Sequence, residues 1–184
     1  MNIFVLDRDP VIAAQSQCDK HVVKMIVESA QMLSTAHRII DGKITTRPSK
    51  SGKQMVRYYQ LGDQREDLLY KAVHHNHPCT IWTTENSANY RWHYRHFIAL
   101  CDEYTYRYNK VHRSRDRLAE ALRALPVNIP ESCQMTPFRL AMGDSPESVQ
   151  SDPVNAYQHF YQTKQSRFKM VWSKRPTPSW FHRA

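Results

Sequence analysis

Six polar side chains recur at helical spacing between residues 17 and 35, and they include residue types used in acid–base chemistry. At 100° per residue they fall within a sector of about 80°. We call them the polar stripe: Gln17, His21, Lys24, Glu28, Gln31 and Thr35. An amine, a carboxylate and an imidazole on one pocket wall would suit acid–base catalysis, because packing shifts their pKa values toward useful ranges. The alternative is a solvent-facing helix side with an ordinary ion pair four residues apart.

Histidines are densest in the run His74-His75-Asn76-His77-Pro78-Cys79. His77 precedes a proline at a segment boundary, so it and Asn76 are candidates for a turn that contacts a phosphate or a substrate. A zinc site completed by Cys18 and His21 is a second interpretation, although structural zinc sites usually show cleaner paired spacing. A polar turn with a capping histidine is the third. We assign no metal and no cofactor.

The chain is strongly basic, with 26 Lys and Arg against 17 Asp and Glu and a formal charge of +9. This balance predicts an anionic partner, most simply nucleic acid. Basic clusters at 43–57, 107–117 and 164–175 lie at segment ends, where phosphate contacts are common. The cations expected to contact the nucleic-acid backbone are Lys43, Arg47, Lys50, Lys53, Arg113, Arg115, Arg117, Lys174 and Arg175. The alternative for each cluster is an ordinary solvated surface.

Composition excludes several classes of protein. Four glycines cannot supply the turns of a many-stranded sandwich or a glycine-rich phosphate loop. No apolar run approaches the roughly 20 residues of a membrane helix. The first residues do not resemble a signal peptide, and the four cysteines form no CxxC pair. We therefore expect a cytoplasmic, intracellular or nucleoid-associated protein with free thiols and no membrane partner.

A mainly α fold is expected to position these groups, as one compact helical domain spanning residues 1–184. A short extended arm at residues 2–6 leads into a long central helix from Asp9-Pro10 to about Ile40. Further helices are expected, in whole or in part, at 55–75, 88–109 (capped by Ser87), 115–125 and 153–172. Segments without regular structure are expected at 41–54 (a basic loop), 126–151 (irregular) and 173–184 (an extended tail).

The stretch Asp19-Lys20-His21, with Glu28 seven residues after the histidine, resembles the first helix of the pyrimidine-dimer DNA glycosylases of the endonuclease V type. Other features match that family in order along the chain. They are the apolar N-terminal arm, Asn76-His77-Pro78 before a helix with Leu100, Glu103 and Arg107, and Arg175-Pro176-Thr177 followed by Trp180-Phe181. The resemblance touches both ends and the middle of the chain.

The resemblance implies a single helical domain whose first helix crosses the core. It also implies excision of a damaged pyrimidine without a metal: an amine attacks the sugar C1′ and forms a Schiff base. Some members then break the strand by β-elimination. By position, Glu28 matches the family's assisting glutamate and His21 matches a DNA-contacting histidine. A carboxylate there can stabilise an oxocarbenium-like sugar and move protons.

Two departures from the family pattern bear on the chemistry. The best-known members use the amine exposed when Met is removed before a small residue, whereas Asn2 should retain Met1 here. The nucleophile is therefore the Met1 amine or Lys24, or it is absent. The family's helix also has arginines where this chain has Val27 and Gln31, which favours a divergent substrate.

Together these observations predict an enzyme resembling DNA glycosylase/AP lyases that acts on a damaged or modified pyrimidine in double-stranded DNA. The candidate catalytic residues are Glu28, Lys24 and Met1, and the candidate substrate-binding residues are His21, Gln17, Gln31, His77 and Asn76. Two alternatives stay open: a nucleobase- or nucleotide-modifying enzyme on the same scaffold, and a non-enzymatic nucleic-acid-binding protein. The sequence leaves open the lesion, the choice between DNA and RNA, and the oligomeric state.

Overall fold

The structure, a computed structural model, describes residues 1–143 and 152–183. Over these ranges the chain forms helices and one small sheet: α1 (Pro10–Gln15), α2 (Asp19–Asp41), β1 (Lys43–Pro48), β2 (Met55–Gln60), α3 (Arg65–Leu68), α4 (Pro78–Glu85), α5 (Ser87–Tyr108), α6 (Arg113–Arg123) and α7 (Pro153–Gln162). A 3₁₀ helix, Thr163–Ser166, follows α7. None of the helices in the described ranges has the length and apolar character needed to span a bilayer.

The expectation of a mainly α fold is wrong, because the chain forms a mixed α/β structure with an antiparallel hairpin at residues 43–60. The hairpin replaces the expected basic loop at 41–54 and the first part of the segment 55–75, which was expected to be helical in part. Helix α3 lies within the rest of that segment. The hairpin strands pair from Lys43 with Gln60 to Pro48 with Met55. Both strands are largely exposed, so no alternation of buried and exposed residues marks them in the sequence. Their β-branched and aromatic residues favour extended backbone all the same.

The expected helix from Asp9 to Ile40 is divided into α1 and α2 at residues 16–18. The start is as predicted, since the Asp9 carboxylate accepts hydrogen bonds from the first backbone amides of α1. At the break, Cys18 adopts extended backbone and the Asp19 amide donates to the carbonyl of Val171. The Trp172 indole donates to the carbonyl of Ser16 at 2.8 Å. Contacts from the far end of the chain therefore replace helical hydrogen bonds.

Helix α2 lies in the core and packs against α4, α5 and α6. Its apolar side chains are almost fully buried: Val22, Met25, Ile26, Ala30, Met32, Leu33 and Ala36. From α5, Tyr90, Phe97 and Leu100 are fully buried in the same core. The prediction that this helix is buried centrally is confirmed.

The remaining segments follow the sequence in part. Helix α5 begins at Ser87, but its N-cap is Asn86, whose side chain accepts from the Asn89 amide. The last helix has the predicted Asp152 cap but ends at Gln162, before the expected end. Residues 126–143 and 173–183 contain no helix or strand. Residues 144–151 of the predicted irregular segment, and residue 184 of the tail, lie outside the described residues.

One ion-pair network joins the start of α2, the end of α5 and the C-terminal tail. The Arg107 guanidinium donates to Asp19 at 2.8 Å and to Glu103 at 2.7 Å. Arg175 donates to the other oxygen of Glu103 at 2.9 Å. Arg107 and Glu103 are almost fully buried, so each needs its partners to offset the cost of desolvation. Three of the sequence motifs, those that contain Asp19, Glu103 with Arg107, and Arg175, therefore meet in one ion-pair network.

The buried Arg38 guanidinium anchors the hairpin to α2. It is 1% exposed and donates hydrogen bonds to the Tyr59 carbonyl, the Glu66 carboxylate and the carbonyls of Glu66, Leu69 and Tyr70, at 2.7 to 3.1 Å. These acceptors lie in β2 and in the chain that follows it. The last turn of α2 therefore fixes the base of the hairpin.

We expect Arg38→Met to lower the free energy of unfolding by about 3–5 kcal/mol, because it removes a donor from four carbonyls and takes the cation away from the Glu66 carboxylate. Urea unfolding at neutral pH measures this change. Arg95→Met is the matched control, since Arg95 is exposed, and it should change the free energy by less than about 0.5 kcal/mol. A loss below about 1 kcal/mol for Arg38→Met would show that the guanidinium does not anchor the hairpin.

Candidate active site

The N-terminal arm, α2 and residues 160–168 enclose a cavity of about 280 Å³. We call this cavity the Glu28 pocket. Its lining brings together three candidate catalytic residues and one candidate substrate-binding residue: Met1, Lys24, Glu28 and His21. The other lining residues are Asn2, Phe4, Met25, Ala141, Phe160, Lys164, Arg167 and Phe168. Its volume lies at the lower end of the range for ligand sites, which suits one base or sugar better than a large ligand.

Glu28 is the central polar group of the pocket and is only 9% exposed. The backbone amide of Asn2 donates to its Oε2 at 2.9 Å. The Lys24 amine lies 3.2 Å from Oε1, and the Met1 α-amine lies 3.8 Å from Oε2. One carboxylate therefore sits between two primary amines, and a backbone hydrogen bond fixes its orientation.

The N-terminal arm is folded back over α2, which is what brings the Met1 amine to Glu28. Phe4 has a φ of 54°, a left-handed conformation that non-glycine residues seldom adopt. The Asn2 side chain holds this turn, because it accepts from the Phe4 amide at 2.9 Å and donates to the Ala141 carbonyl at 2.8 Å. The Gln17 amide donates to the Ile3 carbonyl. Asn2 thus has a defined structural role in this chain.

His21 forms an aromatic and polar wall of the pocket. Its Nδ1 lies 2.6 Å from the Tyr161 hydroxyl, and its ring stacks on Phe4 with centroids 5.0 Å apart. Burial, and secondarily the nearby cations Lys24 and Lys164, lower the pKa of His21 to about 4. The ring is therefore neutral at neutral pH and would contact a ligand by hydrogen bonding or stacking, not as a cation.

His77 lies beside the N-terminus and caps α4, where its ring nitrogen accepts from the Cys79 amide at 3.2 Å. The interpretation of this run as a turn with a capping histidine is confirmed. Burial, followed by the charge of the Met1 amine, lowers the pKa of His77. Asn76 is exposed and does not line the Glu28 pocket.

The solvent-facing interpretation of the polar stripe is wrong for most of its members. Gln17 and Thr35 are fully buried, and His21 and Glu28 are 7% and 9% exposed. Gln17 and Thr35 do not reach the pocket, because Gln17 contacts the N-terminal arm and His96 while Thr35 bonds to Val73. Gln31 is half-buried and is also outside the pocket lining.

The cations predicted to contact nucleic acid fall into two groups, one on the hairpin and the other on α6 and the C-terminal tail. Lys43, Arg47, Lys50 and Lys53 are exposed on the hairpin. By contrast, several of the others bind within the chain. Arg115 pairs with Asp102, Arg117 donates to the Asp67 and Leu68 carbonyls, Lys174 donates to the Tyr106 carbonyl and Arg175 pairs with Glu103. Arg113 is exposed at the start of α6.

The residues of the alternative zinc site are not brought together. Cys18 and His21 both contact the Tyr161 hydroxyl, whereas Cys79 packs against the Tyr157 hydroxyl. Among residues 1–143 and 152–183, no three His, Cys, Asp or Glu side chains are grouped closely enough to hold a metal ion.

Several pocket residues were missed by the sequence analysis. Phe160, Lys164, Arg167 and Phe168 supply a part of the lining that comes from the C-terminal region of the chain. The basic cluster at 164–175 contained a signal for two of them, but nothing in their spacing places them beside α2. The Asn2 amide, a backbone donor, leaves no signal in residue type at all.

Comparisons of this chain with protein-family models, with curated proteins and with solved structures found no match. Its function is therefore inferred from the chemistry of the pocket.

We expect acid to destabilise the protein partly through His21. An unfolded histidine binds a proton near pH 6.5, but His21 in the folded protein binds one only near pH 4. The unfolded state therefore binds more protons between these values, and stability falls as the pH falls below about 6.5. Between pH 7 and pH 5 this side chain should account for about 2 kcal/mol.

Urea unfolding of the unmodified protein and of His21→Asn at pH 7 and pH 5 measures this difference. The unmodified protein should lose about 2 kcal/mol more than the variant. His37 and His96, whose pKa values burial also lowers to about 4, contribute equally in both proteins. His159→Asn, at an exposed position, is the control. Equal pH dependence in His21→Asn and the unmodified protein would contradict the assignment.

Proposed function

We propose that the protein is a DNA glycosylase/AP lyase-like enzyme that excises a damaged or modified pyrimidine through a Schiff-base intermediate. The observation that supports this most is the placement of one buried carboxylate between two primary amines in a small, aromatic-walled pocket. Covalent amine catalysis at a sugar carbon needs an amine nucleophile and an adjacent group that moves protons. Both requirements are met by residues within 4 Å of each other.

The pocket lining suits a nucleotide that has left the base stack. His21, Phe4 and Phe168 supply flat apolar surfaces, on which a flipped base or sugar can pack. Lys164 and Arg167 add positive charge to the pocket lining, where they would contact the flanking phosphates of such a nucleotide. The whole chain's charge of +9 favours approach to a polyanion.

The proposed reaction follows from these positions. An unprotonated amine attacks the sugar C1′, and the C1′–N bond breaks with its electron pair going to the base. The departing base takes a proton from water. Glu28 accepts the proton released by the attacking amine and stabilises positive charge on the sugar ring. Opening of the ring gives an imine between the enzyme and C1′. Loss of a C2′ proton from this imine permits β-elimination of the 3′ phosphate, and water then releases the enzyme.

We assign the nucleophile to the Met1 α-amine in preference to Lys24. Met1 has a side chain that is 5% exposed and its amine lies inside the pocket, whereas the Lys24 side chain is 66% exposed. The Met1 amine is therefore the one placed to meet a sugar carbon held in the pocket. Lys24 then remains the cation that pairs with Glu28.

We expect the unmodified protein to be trapped covalently by borohydride on duplex DNA containing an abasic site, and to release base from duplexes with damaged pyrimidines. Glu28→Gln should reduce base release by about 10²–10⁴-fold, because it removes the proton acceptor but keeps the shape of the side chain. Glu120→Gln, at an exposed position on α6, is the matched control and should retain full activity.

The proposed enzyme activity is refuted if folded protein shows neither borohydride trapping nor base release across a panel of lesions. Salt-dependent binding that survives Glu28→Ala would then indicate a non-enzymatic nucleic-acid-binding protein. A shifted base mass with an intact glycosidic bond would instead indicate a base-modifying enzyme.

We expect mass spectrometry of the trapped complex after proteolysis to find the DNA adduct on the peptide that contains Met1. Lys24→Met should retain trapping within about tenfold of the unmodified protein, since it removes only the ion pair to Glu28. Extending the N-terminus by one glycine should abolish trapping, because the amine is displaced from the pocket. Lys110→Met, at an exposed position, is the control. An adduct on Lys24 would overturn the assignment.

A further inference from the structure

The β1–β2 hairpin carries an unusual concentration of charge. Residues 43–60 include five cations and no carboxylate: Lys43, Arg47, Lys50, Lys53 and Arg57. The hairpin is also exposed over most of both faces, and two of its apolar side chains, Ile44 and Met55, are each 63% exposed. Apolar exposure with strong positive charge is typical of a surface that contacts nucleic acid, where bases and phosphates are both in reach.

A basic cavity of about 370 Å³ lies between the hairpin and residues 71–73. Four of its lining residues are cations: Arg47, Lys50, Arg57 and Lys71. The described residues that line it include no carboxylate. Arg47 is held in place, because its guanidinium stacks on the Tyr58 ring at 4.1 Å and donates to Gln60 at 2.8 Å. The cavity therefore has the charge and the fixed donors of a phosphate site.

The basic cavity and the Glu28 pocket lie along the same face of α2. Val73, at the edge of the basic cavity, exchanges two hydrogen bonds with the Thr35 hydroxyl, at 3.1 and 3.2 Å. Thr35 and Glu28 are seven residues apart, so they project from the same side of the helix, about 10 Å apart along its axis. The chain then continues from Val73 to His77 beside the Met1 amine. Residues 73–77 therefore connect the two sites.

The hairpin has the dimensions of a major-groove element. Two paired strands lie about 5 Å apart, and six residues extend about 20 Å. The major groove of B-form DNA, about 12 Å wide, admits a two-stranded β-ribbon. The base of the hairpin is rigid, because Arg38 binds the Tyr59 carbonyl and the Tyr58 hydroxyl donates to Glu66 at 2.5 Å. Only the exposed part, toward the turn at residues 49–54, is free to enter a groove.

We propose that the β1–β2 hairpin enters the major groove of duplex DNA that flanks the nucleotide held in the Glu28 pocket. The basic cavity binds phosphates of the flanking backbone, and Met55, which pairs with Pro48 beside the turn, contacts base edges. The identity of the nucleotide in the pocket rests on the proposed function, whereas binding of the hairpin to DNA does not.

The first test removes the charge of the basic cavity with Lys50→Gln, Arg57→Gln and Lys71→Gln combined. Affinity for an undamaged fluorescent duplex should fall by about tenfold or more at physiological salt, and the slope of log affinity against log salt should fall by about two to three. The matched control, Arg95→Gln, Lys110→Gln and Arg123→Gln combined, has the same change of charge at exposed positions. It should change affinity by less than about threefold. Thermal melting checks that both variants remain folded.

The second test identifies the groove. Methylation of guanine N7, which lies in the major groove, should interfere with binding at positions in the duplex that flanks an abasic site. The interference should disappear in the variant that combines Lys50→Gln, Arg57→Gln and Lys71→Gln. Competition by a minor-groove-binding polyamide, without interference from N7 methylation, would overturn the major-groove assignment. Equal affinity of the protein for single-stranded and duplex oligonucleotides would also overturn it.

The two proposals fail in different ways. The control variant (Arg95→Gln, Lys110→Gln and Arg123→Gln) could weaken DNA binding as much as the basic-cavity variant (Lys50→Gln, Arg57→Gln and Lys71→Gln). The hairpin is then not a dedicated contact and the inference is refuted, whatever the trapping result. If only the basic-cavity variant loses binding, and the unmodified protein forms no covalent complex with any lesion, the hairpin inference stands and the proposed chemistry fails.

Discussion

The structure depends on one constraint: α2 is buried around most of its surface, so the buried charged side chains on it need partners from other elements. Arg38 satisfies this by binding the carbonyls that follow β2, which anchors the hairpin. Glu28 satisfies it through the folded-back N-terminal arm, which creates the pocket. The helix therefore organises both the candidate active site and the candidate DNA contact, at two points on its length.

The same constraint explains why the N-terminal arm is so strongly fixed. A left-handed Phe4 costs free energy that only surrounding contacts can offset. Those contacts are the Asn2 side chain and the stacking of Phe4 on His21. The strained backbone at Phe4 is therefore part of the turn that places the Met1 amine beside Glu28. Burial keeps the His21 ring neutral where it bonds to the Tyr161 hydroxyl. The same flat ring forms part of the pocket lining.

Much of α2 could be predicted from the sequence because helical periodicity is a local signal, and the Asp-Pro caps likewise marked the starts of α1 and α7. The polar stripe correctly placed His21, Lys24 and Glu28 on one wall. The hairpin could not be predicted, since strands exposed on both faces lack the alternation that identifies a half-buried strand. Nor could the break between α1 and α2, which depends on Val171 and Trp172, more than 150 residues away. Tertiary hydrogen bonds of this kind leave no local signal.

The link between Ser16 and Trp172 also bears on how a nascent chain reaches its final structure. The junction that begins α2 and part of the pocket lining both need residues beyond 160. While the ribosome is still adding those residues, the pocket lacks the part of its lining that residues 160–168 supply. Contacts of such high sequence separation form late and slowly. The pocket should therefore assemble as one of the last events of folding, after the hairpin and its Arg38 anchor are in place.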